Sequence, residues 1–218
     1  QLLSLPMYVG GETREFSAVV RQVAGTRHRR GVLVSSFIRP KAVFGFLVEE
    51  KPGEEAVFYG ISPVDSEGRG NLSDSNHRVT RALASEILQH AGSGPHDLLS
   101  RPPWSIDLPQ AHRTRKAEAL DQWREVELVV DGSGDFVRGR SEEEAGLQVV
   151  QAVAATNLFY QPLKLHLKLS ALRLFPKDAP GDLYYKATLN KNARAMLDTM
   201  RGDWEDREEP ERDIGVVL

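Results

Sequence analysis

A chain of 218 residues with 40% hydrophobic content has room for one large domain or two small ones. Its 28 Lys and Arg against 31 Asp and Glu leave a formal net charge of −3, which offers nucleic acid no electrostatic footprint. No apolar run approaches the ~18 residues of a membrane span, and there is no cysteine for disulfides or thiolate chemistry.

The opening Gln1-Leu-Leu-Ser-Leu-Pro6 lacks both an initiator Met and a charged leader. It reads as the interior of a longer chain or as a terminus left by processing. From Phe16 to Ile61 the chain is rich in strand formers: Phe16–Val23, Gly31–Ile38, Val43–Val48 and Ala56–Ile61. The last two flank Lys51-Pro-Gly-Glu54, a turn signal, and are expected to form a hairpin within an antiparallel sheet or small barrel. After a polar loop, Val79, Leu83 and Ile87 recur every four residues with Leu88 beside them, which predicts a short amphipathic helix capped by Asp74 or Asn76.

Residues 92–116 are dense in Gly and Pro and end in the basic run His112-Arg-Thr-Arg-Lys116. Such a stretch reads as a linker, either merely solvated or cut by a processing protease at Arg113, Arg115 and Lys116. Beyond it the pattern changes. Glu125–Val130 predicts a strand, and Ser141 with Glu144 forms a capping box for a helix whose stripe is Leu147, Val150, Val153, Ala154, Asn157 and Leu158. Leu163–Leu169 alternates strictly and continues to Phe175, a strand with one buried and one wet side. A second helix over about Leu189–Trp204 turns Ala193, Met196, Leu197 and Met200 to one face, and a strand follows from Asp213. The second half therefore predicts a mostly parallel α/β sheet with flanking helices, preceded by a β-rich region. The boundaries fall at 1–110, 111–122 and 123–218.

Few residues carry chemistry. The six histidines never stand in His-Glu-x-x-His, and no nucleophile elbow, Walker loop or dinucleotide fingerprint occurs. Asp131-Gly-Ser133-Gly-Asp135 after an apolar strand is either a Gly-rich βα turn or a cation site like that of von Willebrand A domains, which have Asp-x-Ser-x-Ser there. Glu127 sits inside an apolar strand and needs a cation or donors. With Asp213 in a neighbouring strand it would make a pair of hard ligands for Ca²⁺; otherwise both are exposed carboxylates. Asn71-Leu-Ser73 is an N-glycosylation sequon at Asn71.

Residues 120–218 resemble the start of a reprolysin (ADAM/adamalysin) metalloprotease domain. The resemblance is carried by Val126-Glu-Leu-Val-Val130, "AVAATNLFY" from Ala152, "LKLHLKLSALRLF" from Leu163, Asn192–Trp204 and Arg212–Leu218. More loosely, "VFGFLVEEKPGEEAVFYGISPV" is similar to a hairpin of that family's prodomain, with the basic run where cleavage is expected. The resemblance implies a secreted, zinc-dependent endopeptidase zymogen acting on proteins or peptides, with a contact between prodomain and catalytic domain. Its zinc ligands and catalytic Glu would lie beyond Leu218, so no catalytic residue falls in this chain and the polypeptide itself is expected to be inactive. The resemblance also implies structural calcium at Glu127 and Asp213. The cysteine with which many such prodomains silence zinc has no counterpart here. Two rival expectations stand: a von Willebrand A-like binding module, and a secreted interaction protein without catalysis.

Overall fold

The computed structural model describes residues 1–25, 28–64, 72, 76–86, 123–175, 184, 193–205 and 213–218. Six strands come first: β1 (Leu2–Val9), β2 (Glu12–Ala24), β3 (Arg29–Ser36), β4 (Val43–Glu49), β5 (Val57–Pro63) and β6 (His77–Leu83). The second half supplies β7 (Arg124–Gly132), the short helix α1 (Gly134–Val137) and α2 (Glu142–Tyr160). A 3₁₀ turn (Gln161–Leu163), β8 (Leu165–Leu174), α3 (Ala193–Glu205) and β9 (Ile214–Val217) complete it.

All nine strands form one mixed sheet in the order β6-β5-β4-β3-β2-β1-β8-β7-β9. β1 to β6 are an antiparallel meander, and β1, β8, β7 and β9 are mutually parallel. The β-rich region expected ahead of the α/β region is present, but as part of the same sheet rather than as a separate layer or barrel. The expected hairpin of β4 and β5 is there in antiparallel register.

β1 is a strand that its own sequence argues against, because Pro6 interrupts it. The proline is tolerated by position. The parallel ladder to β8 covers only Met7 to Val9, so it begins immediately after Pro6. β1 turns into β2 through Gly10 and Gly11 at φ +57° and +89°, the left-handed pair that a two-residue hairpin requires.

The helix expected over Val79–Leu88 is instead strand β6 up to Leu83, paired with β5 along its whole length. A four-residue spacing of apolar residues is also an even spacing, so both periods fit, and the open edge of β5 decides. A helical turn starts only at Ala84; Ile87, Leu88 and Asp74 lie outside the described residues.

β7, α2 and β8 form a parallel crossover unit, and α2 lies across the sheet. Leu147, Val149, Val150 and Leu158 enter a core with Leu5, Phe16, Val32, Val34 and Phe44 of the first half and Leu128, Val130, Leu172 and Leu174 of the second. A smaller core on the other face joins Val129, Ala171, Phe175, Tyr184 and Met200. In α3, Met196 and Met200 face the sheet, whereas Leu197, expected on that face, is exposed.

The start of α2 is as the sequence indicates: Ser141 Oγ accepts from Glu144 N at 3.1 Å, with Glu142, Glu143 and Glu144 in the first turn. Ser141→Ala is expected to cost about 1 kcal/mol in urea unfolding, the usual loss of one N-cap.

Candidate functional site

β8 contains the device that builds the most polar part of the interior. Leu128 pairs with Leu169, but Val129 pairs with Ala171, so Ser170 is an extra residue in the strand. One inserted residue reverses the side-chain alternation. Before it Leu169 faces α2; after it Leu172 and Leu174 do, and Arg173 turns to the opposite face beside Ala171 and Phe175. The Ser170 hydroxyl is itself buried and has no hydrogen-bond partner among the described residues.

Arg173 therefore enters the sheet directly opposite Asp131 of β7, near the carboxyl ends of two parallel strands, where open α/β sheets place their ligand sites. Asp131 is wholly buried and Arg173 is 6% exposed. Arg173 Nε donates to Asp131 Oδ1 at 3.0 Å, and Nη2 donates to Oδ2, a bidentate pair. Its Nη1 donates to Asp203 of α3, and the Tyr184 hydroxyl donates to Asp131 Oδ2. The guanidinium lies 4.9 Å from the Phe175 ring centroid, and Phe175 meets Tyr184 edge to face at 5.3 Å.

Burial alone would lower the Arg173 pKa, but hydrogen bonds and charge from Asp131 and then Asp203 outweigh it and push it up. Burial, reinforced by the Asp131 charge, pushes the Tyr184 phenol well above its usual range. Neither group releases a proton near neutral pH, so the cluster is built for fixed charge and orientation rather than proton transfer. It ties β7, β8, α3 and Tyr184 into one unit. The pattern Ala171-Leu-Arg-Leu-Phe175 holds a signal for Arg173, a charge inside an apolar run, of the kind that singles out Glu127. Nothing in the sequence marks Tyr184 or Asp203.

The Asp131, Ser133 and Asp135 trio is not gathered around a common point. Asp131 binds Arg173, Ser133 Oγ caps α1 by accepting from Phe136 N at 3.4 Å, and Asp135 pairs with Arg138.

Glu127 and Asp213 do come together. Asp213 Oδ2 accepts from Glu127 N at 2.8 Å, and Asp213 N donates to Glu127 O at 2.8 Å. The Glu127 carboxylate, however, accepts from Lys168 Nζ at 2.7 Å, and that ammonium also lies 3.3 Å from Glu125. Hydrogen bonds to Glu127 and then Glu125 push the Lys168 pKa up. The Glu127 carboxylate is thus paired with Lys168 on the β8 side, while Asp213 on the β9 side binds the Glu127 main chain, so the residues fit calcium poorly. Among the described residues no group of three His, Cys, Asp or Glu is placed to hold a metal. Arg113, Arg115, Lys116 and Asn71 lie outside the described residues.

Glu144 completes the polar interior at the N-terminus of α2. Burial pushes its carboxyl above the ordinary 4.5, against the pull of Arg140 and the Ser141 amide. A carboxyl with a raised folded pKa favours folding while protonated, and that advantage is lost as pH rises through the folded pKa. Glu144→Gln is therefore expected to raise Tm at pH 7 relative to the parent, the difference vanishing near pH 4. Thermal melts at the two pH values measure it.

No protein-family model matches the chain, and no curated protein matches it either.

Proposed function

We propose that this chain is the N-terminal part of a secreted zinc metalloendopeptidase zymogen of the reprolysin kind, a β-rich proregion joined to the first half of the catalytic domain. One observation carries the reading. The elements after residue 123 run strand, helix, long strand, helix, strand, with β7, β8 and β9 parallel, the order that the resemblance assigns. The sheet also runs without a break from β1 into β8, which supports an intimate contact between proregion and catalytic part.

On this reading the residues present build the scaffold. Asp131, Arg173, Asp203 and Tyr184 fix α3 against the sheet, and α2 binds the proregion strands. Zinc in such an enzyme polarises the scissile carbonyl and lowers the pKa of bound water. This chain has no matching ligand set, so no hydrolytic step is assigned to its residues. Substrates are proteins or peptides, and activation is a cut in the basic linker at residues 113–116.

Reading the encoding transcript past Leu218 tests the proposal. His-Glu-x-x-His-x-x-Gly-x-x-His within about one further helix and strand is the expected result. A stop codon, or a continuing sheet without those histidines, sinks it. Purified 1–218 is expected to show no peptidase activity against unfolded protein substrates.

A further inference from the structure

β6 is the outermost strand at one end of the sheet; no described strand pairs with its outer side, and only at its end does a side chain reach that side among the described residues, Glu86 Oε2 accepting from Leu83 N at 2.7 Å. It is regular: all seven residues lie in the ladder with β5, with no bulge, proline or glycine. The regular edge from His77 to Arg81 is a template for another strand. Its chemistry is one-sided. His77, Arg78 and Arg81 stand in a strand without an acidic residue, in a chain of net charge −3. Arg78, Thr80 and Arg81 are exposed, and Val79 between them is 62% exposed.

A second feature adjoins it. The loop between β3 and β4 presents Phe37 at 65% and Ile38 at 83% exposure. Its conformation is fixed from within, because Ser36 Oγ accepts from Ile38 N at 3.0 Å and Arg39 N at 3.2 Å. Where this loop enters β4, Val43 N donates to His77 Nε2 at 3.2 Å, tying it to the start of β6. The loop adds Arg39, which reaches Glu143 at 3.7 Å, and Lys41, again with no acidic residue of its own.

We infer that the β6 edge is a strand-addition site for an extended acidic segment of a partner protein, with the Phe37–Ile38 tip as the apolar anchor beside it. An added strand takes up the open main-chain groups, acidic side chains three positions apart meet Arg78 on one face and Arg81 on the other, and an apolar residue covers Val79. A second copy of this chain fits less well, because edge-to-edge pairing brings the arginines of one copy close to those of the other. A lipid surface would use the tip and the basic charge but leave the strand edge unpaired. The inference does not depend on the metalloendopeptidase reading.

Fluorescence anisotropy of a labelled extended peptide with glutamates three positions apart and valines between them, titrated with the full chain, tests it. The acidic peptide is expected to bind, and the same peptide with lysine for glutamate is expected not to. N-methylation of alternate peptide amides is expected to weaken binding at least about tenfold, since the ladder is then blocked. Arg78→Glu with Arg81→Glu should invert the preference toward the lysine peptide, and Phe37→Ser with Ile38→Ser should weaken binding without inverting it. Far-UV circular dichroism and Tm check that each variant folds, and the N-methylation series on the parent chain needs no variant. Equal binding of the N-methylated peptide, or an unchanged preference after the charge reversal, overturns the inference. So does sedimentation with phosphatidylserine vesicles in the absence of any peptide binding.

Discussion

Replacing Arg173 by methionine is expected to cost about 3–5 kcal/mol in urea unfolding, because it leaves Asp131 wholly buried without its cation. That is a large share of the ~5–15 kcal/mol by which a domain is stable, so the variant is expected to express poorly and melt early. The loss measures the stranded carboxylate, not the worth of the pair. A triple variant, Arg173→Met with Asp131→Leu and Tyr184→Phe, removes the buried charges and the phenol together and is expected to recover most of the stability. Asp203, with a quarter of its side chain exposed, is left to water. If Arg173→Met alone is neutral, the cluster does not hold α3 to the sheet.

A chain cut once in the linker is expected to stay together as one particle. The ladder between β1 and β8 is only three residues long, but the seam does not rest on it. Phe16, Val32 and Phe44 share a core with Leu147, Val150 and Leu158 of α2, and Phe159 packs on Phe46 and Phe58 at 6.0 and 6.2 Å. Polar contacts cross it too. Gln151 Nε2 donates to Gly45 O at 2.8 Å, and Arg30 Nη1 donates to Leu158 O at 3.1 Å. Fully burying each such apolar side chain contributes about 1.5–3 kcal/mol. Losing the covalent link costs about 4–15 kcal/mol of association entropy, so a handful of these residues offsets it.

The test is a site-specific protease sequence placed within residues 111–122, followed by cleavage and gel filtration. Co-elution of the two pieces is the expected result, and separation would mean that the halves are independent. The seam has one sensitive point: a Cβ on Gly146 would stand 2.7 Å from Phe16 Cε2. Gly146→Leu drives a side chain into that ring, an overpacking worth about 1–3 kcal/mol or more, and the cut variant is expected to fall into two pieces. Under the zymogen reading, cleavage would then activate only with a further event that pulls the proregion away.

Much of the second half could be read in advance because local signals there are not in conflict. Ser141 and Glu144 cap α2, its apolar stripe faces the sheet, and β7, β8 and β9 begin and end within a few residues of where their patterns place them. The first half was legible as strands but not as an arrangement. Pro6 hid β1, and Val79 with Leu83 suited a helix as well as a strand. The candidate site was legible only in outline. Glu127 and Asp213 do meet, as their positions in neighbouring strands allow, but Lys168, on the wet side of β8, takes up the Glu127 carboxylate.

Period, caps and turn residues are properties of neighbouring positions, so the α/β character, the capped helix and the β4–β5 hairpin followed from the sequence alone. The joining of two apparently separate regions into one sheet did not. It depends on the edge of β8 finding β1 across more than 150 positions of chain, a choice made by burying α2 on both sides at once. The polar centre is of the same kind. A single extra residue at Ser170 turns Arg173 away from α2 to the opposite face of the sheet, and only the packed sheet brings Asp131, Tyr184 and Asp203 to it, because a buried charge is tolerable only where distant donors and acceptors converge.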